Sequence, residues 1–591
     1  MGAQCVKIRN AIWQNVEEAN HLAPTFSRIW KEMILVSDPE RPFIRTAKGI
    51  IQRKKTLGLY QQDIEQLYQT VEESRDSHGV APPPSWNASD IQAWLLEHAA
   101  AISNEKRPTV DHDLFDQGFD SLSATFLRNR IIGALRESTD PAINDAATRV
   151  SQNFVFQYPT LVALAAAVET LVAHSDARSS LSVYSPTAEI DAMVAKYAAK
   201  LPARPEGLKS WKDEGAVVLL TGTTGSLGAH ILTLLLADER VKRVYALNRG
   251  LKVVERQRGA FENAGLPVAL LDSPKLVLLS GDLSREDFGL DRQVLDEAAA
   301  SVTHIVHNAW RVDFNLALAS FETHIAAAVR LLALAPGAHY VFTSSVSIAA
   351  GWRAANGRGP VPEKPLHNSA VAAKTSGYGM SKYVVEEVLA KAYDAGFRTT
   401  SLRIGQISGS SRSGAWNATD WVPSIIKSSV ALGALPELDG VVSWLPMDSV
   451  AGATVDVMLG SEVPGLINVV HPRPVVWRAV ASAVNEELGR KLEFVPLGEW
   501  VKRLEDAASG ASAHDLETIP GIKLLEYFQS LVVLEREARE AQVGEFEVGG
   551  LPVFRTTQAQ SVSRTLAERL PLGDEDARLW VKYWHQVRFL V

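Results

Sequence analysis

Val217-Val-Leu-Leu-Thr-Gly-Thr-Thr-Gly-Ser-Leu-Gly228 is the stretch from which the rest of the chain can be read. Four apolar residues lead into three glycines, and Ala229-His-Ile-Leu-Thr-Leu-Leu-Leu236 follows. The pattern predicts a buried strand, a tight turn and the opening of an amphipathic helix. Such a turn suits phosphate groups. Gly222 lets the chain reverse, Gly225 lets backbone N–H groups approach a pyrophosphate, and Gly228 lets the helix lie close to the strand. The positive end of the helix faces the same point. Thr221, Thr224, Ser226 and Leu227 complete the candidate cradle. The spacing is Gly-x-x-Gly-x-x-Gly instead of Gly-x-Gly-x-x-Gly, so the turn needs its context to mean nucleotide binding and not merely a sharp corner.

The context supplies repeated strand–helix alternation. Val241-Lys-Arg-Val-Tyr-Ala-Leu-Asn-Arg249 predicts a second strand, with Asn248 twenty residues past Gly228, about where a ribose-reading carboxylate would stand. A carboxylate there would repel a 2′-phosphate, whereas the forked donors of Arg249 would pair with one. Arg256 is a second candidate, read equally well as a solvated helix charge. Lys275–Leu283 makes a third strand, with Asp282 and Leu283 at the adenine edge. Val302–Ala309 makes a fourth, with Asn308 near the ribose. These residues point to NADPH.

The candidate chemistry lies further on. His339-Tyr-Val-Phe-Thr-Ser-Ser345 predicts a strand ending in hydroxyls, and Tyr378-Gly-Met-Ser-Lys382 opens a helix. Tyr378 and Lys382, four apart, share one helical face. An unperturbed phenol, with a pKa near ~10, is a poor proton donor or acceptor at neutral pH. The expectation is that the neighbouring ammonium lowers it. Lys382 can also hold a nicotinamide ribose, and a strand-end hydroxyl, Ser345 with Thr343, Ser344 and Ser347 as neighbours, can polarise a carbonyl.

Residues 205–480 resemble an extended short-chain dehydrogenase/reductase. More narrowly, they are similar to the terminal thioester reductase domains of carboxylic acid reductases, fungal non-ribosomal-peptide-synthetase-like reductases and aminoadipate reductase-like enzymes. The resemblance rests on Thr221–Gly228, His307-Asn-Ala-Trp-Arg-Val-Asp-Phe-Asn315, Tyr378-x-x-x-Lys382, Arg403-Ile-Gly-Gln-Ile-Ser-Gly409, Gly414-Ala-Trp-Asn417 and Trp444-Leu-Pro-Met-Asp448. It implies a catalytic triad of Ser345, Tyr378 and Lys382.

At 591 residues the chain is too long for one core. A net charge of −8 with no long basic run argues against nucleic acid. The single cysteine, Cys5, excludes a disulfide framework and fits a reducing cytoplasm. No apolar run reaches a membrane span, and no signal peptide is visible.

In residues 1–75, Phe43-Ile-Arg-Thr-Ala-Lys-Gly-Ile-Ile-Gln-Arg-Lys54 resembles the last motif of adenylate-forming enzymes, with Lys48 as its ATP-facing lysine. The large subdomain of such enzymes has no counterpart here, so this part is expected to be a truncated C-terminal subdomain without ATP. Residues 76–87 form a proline-stiffened linker containing Val80-Ala-Pro-Pro-Pro-Ser-Trp86. Asp113-Leu-Phe-Asp-Gln-Gly-Phe-Asp-Ser-Leu122, at a predicted loop–helix junction, resembles an acyl carrier domain over residues 88–173. The resemblance makes Ser121 the attachment point of a covalent 4′-phosphopantetheine and implies a phosphopantetheinyl transferase as partner. A serine there would also serve as a plain N-cap. Residues 174–204 link it to the reductase.

The expected architecture is therefore α/β. A truncated adenylation subdomain and a four-helix carrier precede a Rossmann-type core over 205–410 and a helical substrate subdomain mainly over 411–591. Trp416, Trp421 and Trp444 are candidates for an acyl pocket, with core packing as the competing role. The activity implied is NADPH-dependent release of a tethered acyl thioester as an aldehyde, the acyl group being loaded by a separate adenylating enzyme. Two rivals are an extended reductase or epimerase acting on a soluble substrate, and a carrier scaffold with an inactive reductase. The fused carrier argues against the first, and the Tyr378/Lys382 pair against the second.

Overall fold

The computed structural model describes residues 35, 41–43, 53–61, 63, 80–103, 107–173 and 185–590, with a few short breaks in the longer ranges. Lys48 and its motif lie outside the described residues. The chain divides into two compact units, residues 1–184 with 315–320, and residues 185–314 with 321–591.

The first unit is helical where described. Helix α1 (Ala88–Ile102) starts at Asn87, whose side chain accepts from the Asp90 N–H at 2.9 Å. It is followed by α2 (Ser121–Arg136), α3 (Pro141–Ala146), α4 (Phe154–Gln157) and α5 (Leu161–Ala173). Apolar residues at spacings of three and four, Ile91, Leu95 and Ala99 with Leu161, Leu164 and Val168, form the buried faces of α1 and α5. The loop before α2 is tied down from both ends. Asp113 accepts from the Phe115 N–H at 2.7 Å, Leu114 donates to the Pro159 carbonyl at 2.8 Å, and Phe115 stacks on Phe156 with centroids 4.8 Å apart. Ser121 thus becomes the first residue of α2. Helices α4 and α5 are separate, because Pro159 between them has no N–H to continue the ladder.

The second unit is built on a seven-stranded parallel sheet. Its strands are β1 (Ala216–Thr221), β2 (Val241–Asn248), β3 (Leu276–Ser280), β4 (His304–His307), β5 (His339–Ser345), β6 (Arg398–Ile404) and β7 (Leu466–Val469). Their spatial order is β7-β6-β5-β4-β1-β2-β3. All six residues of β1 are buried, the signature of a strand covered on both faces. Helices α6 (Pro186–Ala198), α7 (Ser226–Ala237), α8 (Val253–Ala264), α9 (Glu322–Leu334), α10 (Gly377–Asp394) and α11 (Met447–Leu459) pack around it. The strand order reverses between β1 and β4, and the carboxyl ends of these strands form the crevice where ligands bind in open α/β sheets.

The sheet does not stop at residue 410. β7 comes from beyond that point and α11 packs against α7, so the boundary expected between core and substrate subdomain is crossed by the chain. The remaining C-terminal part is mostly helical around a second core holding Trp416, Trp444, Trp477, Trp500, Trp580 and Trp584. Among the described residues no helix is long and apolar enough to cross a membrane.

Candidate active site

At the end of β1, Gly222 has φ +74° and faces Ala309, whose backbone N and Cα would lie 3.0 Å from any Cβ placed there. A Cβ on Gly228 would fall 2.1 Å from the Gly222 carbonyl oxygen, so helix and turn meet only because both residues are glycine. Gly225 differs. A Cβ there meets only the Gly222 oxygen at 3.4 Å, so the chain itself leaves the space over Gly225 open. Gly225 is also the N-cap of α7 and gives it no side-chain cap, while Ser226 beside it is exposed and Leu227 half-buried. An open face over an uncapped helix N-terminus fits a pyrophosphate.

The residues around the turn divide into supports and open groups. Thr221 is fully buried. Its Oγ1 accepts from the N–H groups of Asn308 (3.0 Å) and Ala309 (2.9 Å) and bonds His307 Nδ1 at 3.0 Å, so it holds the loop from behind. The Asn308 side chain donates to the Gly222 carbonyl at 3.4 Å. Asn248 is buried as well. It accepts from the Thr224 N–H at 3.2 Å and donates to Thr223 Oγ1 at 2.6 Å, and Thr223 is held in turn by Gln257. The residue at the expected ribose-reading position therefore braces the glycine turn. Arg249, next in sequence, is exposed. Arg256 donates to the Arg249 carbonyl and to Thr224 Oγ1 (3.2 Å), drawing both toward the turn. Asp282 accepts from the Ser284 N–H and hydroxyl. Burial pushes its carboxyl up, but these bonds with the charges of Arg249 and Arg285 outweigh it and hold it below the usual range. The Leu283 carbonyl accepts from Arg330 at 2.6 Å.

The hydroxyls at the end of β5 separate by direction. Thr343 donates to the His307 carbonyl at 3.2 Å, and Ser344 donates to Glu386. Ser345 is the one whose hydroxyl acts on the Tyr378 phenol, drawing it down, and its Oγ accepts from the Ser347 N–H at 3.2 Å. Tyr378 and Lys382 sit on α10 one turn apart. Phe314 and Phe321 meet the Tyr378 ring edge-on, with centroids 5.0 and 6.2 Å away. Burial pushes the phenol up to about 12, with the Ser345 hydroxyl pulling the other way. Lys382 does not contribute the expected lowering, because its amino group is engaged elsewhere. Its Nζ donates to the Thr343 carbonyl at 2.6 Å and lies over the rings of Trp310 (4.2 Å) and Phe342 (4.6 Å). Burial holds Lys382 well below the usual lysine range, with Glu386 opposing.

A buried ion pair beneath these groups had its signal in the sequence but was not read there. Glu386 follows Lys382 by four residues, on the face that carries Tyr378. Its carboxylate takes Arg403 Nη2 at 2.7 Å and Nε at 3.0 and 3.2 Å, and both side chains are buried. The tryptophans proposed for an acyl pocket are structural in part. Trp416 and Trp444 are buried and packed edge-on at 5.7 Å, while Trp421 is half-buried and donates to Gln406 at 3.0 Å.

Comparison with known proteins agrees with this geometry. Residues 220–454 match the family model described as male sterility protein, an NAD-binding domain, and residues 2–72 match the AMP-binding enzyme C-terminal domain. The adenylate-forming reductase Nps11 of Serpula lacrymans is 42% identical over 604 residues, covering 98% of this chain and 54% of its own length. The chain is similar, over nearly its whole length, to part of an adenylate-forming reductase. The carboxylic acid reductase of Neurospora crassa is 29% identical over 97% of this chain and 54% of its own length. The chain thus spans about half the length of these curated relatives. Among solved structures, the terminal R domain of the myxalamid PKS-NRPS pathway superposes with a TM-score of 0.57 at 26% identity, covering 69% of this chain and 99% of that one. A thiolation-reductase di-domain from an archaeal non-ribosomal peptide synthetase shares the fold over 86% of this chain and 99% of its own, with a TM-score of 0.52 at 17% identity.

Proposed function

We propose that the chain releases an acyl group, held as a thioester on a phosphopantetheine arm at Ser121, as an aldehyde by NADPH-dependent reduction. The observation that carries this reading is the convergence of Ser345, Tyr378 and Lys382 at the carboxyl end of β5, in the same unit as an open, uncapped α7 N-terminus. The thiolation–reductase pairing named for the archaeal structure supports a tethered substrate.

NADPH, when bound, supplies the hydride. Arg249, exposed beside the turn, is the residue for its 2′-phosphate, and the α7 N-terminus for its pyrophosphate. The thioester carbonyl oxygen lies against the Ser345 and Tyr378 hydroxyls, which stabilise charge developing on it. Tyr378, protonated at neutral pH, gives that oxygen its proton. The resulting hemithioacetal collapses by breaking its C–S bond, leaving the aldehyde and the free thiol of the arm.

The test is direct. Protein carrying phosphopantetheine is loaded chemically with a panel of acyl groups and mixed with NADPH, and the products are identified by mass spectrometry. Aldehyde with stoichiometric NADPH consumption supports the reading. NADPH oxidation by a soluble nucleotide sugar, with none by the loaded carrier, would replace it with the soluble-substrate alternative.

A further inference from the structure

Three consecutive residues at the end of β5 face three successive turns of α10. The Thr343 carbonyl accepts from Lys382, the Ser344 hydroxyl donates to Glu386, and the Ser345 hydroxyl acts on the Tyr378 phenol. The middle tie ends on the buried Glu386–Arg403 pair. Arg403 stands on β6 directly opposite Ser344, and its third nitrogen, Nη1, donates to the Pro362 carbonyl at 3.1 Å. The carboxylate therefore spans β5, α10 and β6 at the level of the candidate catalytic groups.

Stability alone does not account for such a pair. Taking two charges out of water is costly, and well-packed apolar residues of similar size often hold a fold as well or better. A pair of this kind does fix directions, because the guanidinium fork and the carboxylate accept few alternative geometries.

We propose that Glu386 is a positioning residue for the reduction. Held by Arg403, it fixes the Ser344–Ser345 strand end so that the Ser345 hydroxyl meets Tyr378, and it places a negative charge one turn from Lys382. This rests on the reductase reading above. The groups facing Lys382 are Tyr378 and Glu386 on α10, His307 on β4 and His324 on α9. The two histidines are held neutral by burial, so Glu386 supplies the only negative charge among these four neighbours.

The experiment compares wild type, Glu386→Gln and Ser344→Ala, using a soluble acyl-pantetheine thioester and NADPH. Glu386→Gln keeps the shape and removes the charge. It is expected to lower kcat at least tenfold, with KM and fluorescence-titrated NADPH affinity within twofold of wild type. The alkaline limb of the kcat–pH profile should move to lower pH, because Lys382 then loses its proton more easily. Ser344→Ala removes only the link to the strand and should lower kcat about fivefold without moving the limb. Full kcat and an unmoved profile in Glu386→Gln overturn the proposal. If that variant does not fold, wild-type kcat in Ser344→Ala overturns it instead. A wild type that never reduces the thioester refutes the functional reading, which is a separate result.

Discussion

Lys382 donates to the backbone carbonyl of Thr343 at 2.6 Å, and its Nζ stands 5.7 Å from the centre of the Tyr378 ring. The ammonium is thus anchored to the strand that carries Ser345, while the phenol beside it stays protonated, pushed up to about 12 by burial. In the proposed reaction Tyr378 is the proton donor and Lys382 holds the scaffold around it.

Tyr378→Phe is therefore expected to abolish thioester reduction while sparing NADPH binding, since the hydroxyl acts on the substrate. Loss of a positioned proton donor typically costs about 10²–10⁴ in rate. Single-turnover rates and a nucleotide-binding titration check both halves; activity within a few-fold of wild type removes Tyr378 from the chemistry.

The two arginines beside the glycine turn should separate. On the proposed role of Arg249, Arg249→Ala should remove a charge-assisted pair with the 2′-phosphate worth about 1.5–3 kcal/mol and lower the NADPH-over-NADH preference by that amount. Arg256→Ala, which loosens Thr224 and the Arg249 backbone, should weaken both dinucleotides alike. Isothermal titration of the two cofactors distinguishes these outcomes, and an unchanged NADPH/NADH ratio in Arg249→Ala assigns the 2′-phosphate elsewhere.

Gly225→Ala and Gly228→Ala form a matched pair. The Gly228 methyl would sit 2.1 Å from a backbone oxygen, so that variant should lose several degrees in Tm or fail to fold. The Gly225 methyl meets nothing closer than 3.4 Å. It should leave Tm nearly unchanged and weaken dinucleotide binding, because it fills the space expected for phosphate. Equal Tm losses in the two variants would contradict this division.

Acid should destabilise the second unit early. Burial holds His304 and His339 at about 3 and His324 and His471 at about 4, with His307 well below its ordinary value. In the unfolded chain each returns to near ~6.5 and takes up a proton first. Their contribution is therefore present above about pH 6.5 and is lost as pH falls toward 4. For the fully buried His304 and His339, the step from pH 7 to pH 5 costs about 2 kcal/mol each. Urea unfolding at the two pH values measures the sum, and equal stability at both would refute the assignment.

Ser121→Ala should block attachment of phosphopantetheine yet leave reduction of a soluble acyl thioester intact at raised KM, since the tether supplies effective concentration and not chemistry. Intact-mass measurement after treatment with a phosphopantetheinyl transferase decides it. A mass gain in the variant would move the attachment site.

The sequence by itself determined the periodic features. Strand–turn–helix order around Gly222, Gly225 and Gly228, the Tyr378/Lys382 face and the loop before Ser121 are local, because helical and strand periods and glycine chemistry act over a few residues. What the hydroxyls and charges do was decided only by tertiary packing. Thr343, Ser344 and Ser345 look alike in sequence, and they divide because one faces β4 and the other two face different turns of α10. Asn248 holds the expected ribose position in sequence, yet its partners Thr223 and Thr224 come from the glycine turn after the neighbouring strand and turn it inward. β7 was equally invisible, since a four-residue strand joins a sheet only through its neighbour β6. The Glu386–Arg403 pair joins residues seventeen apart whose charges, read alone, predict solvent. They are buried because the fold gives each a complete set of partners, which a linear pattern of charges does not encode.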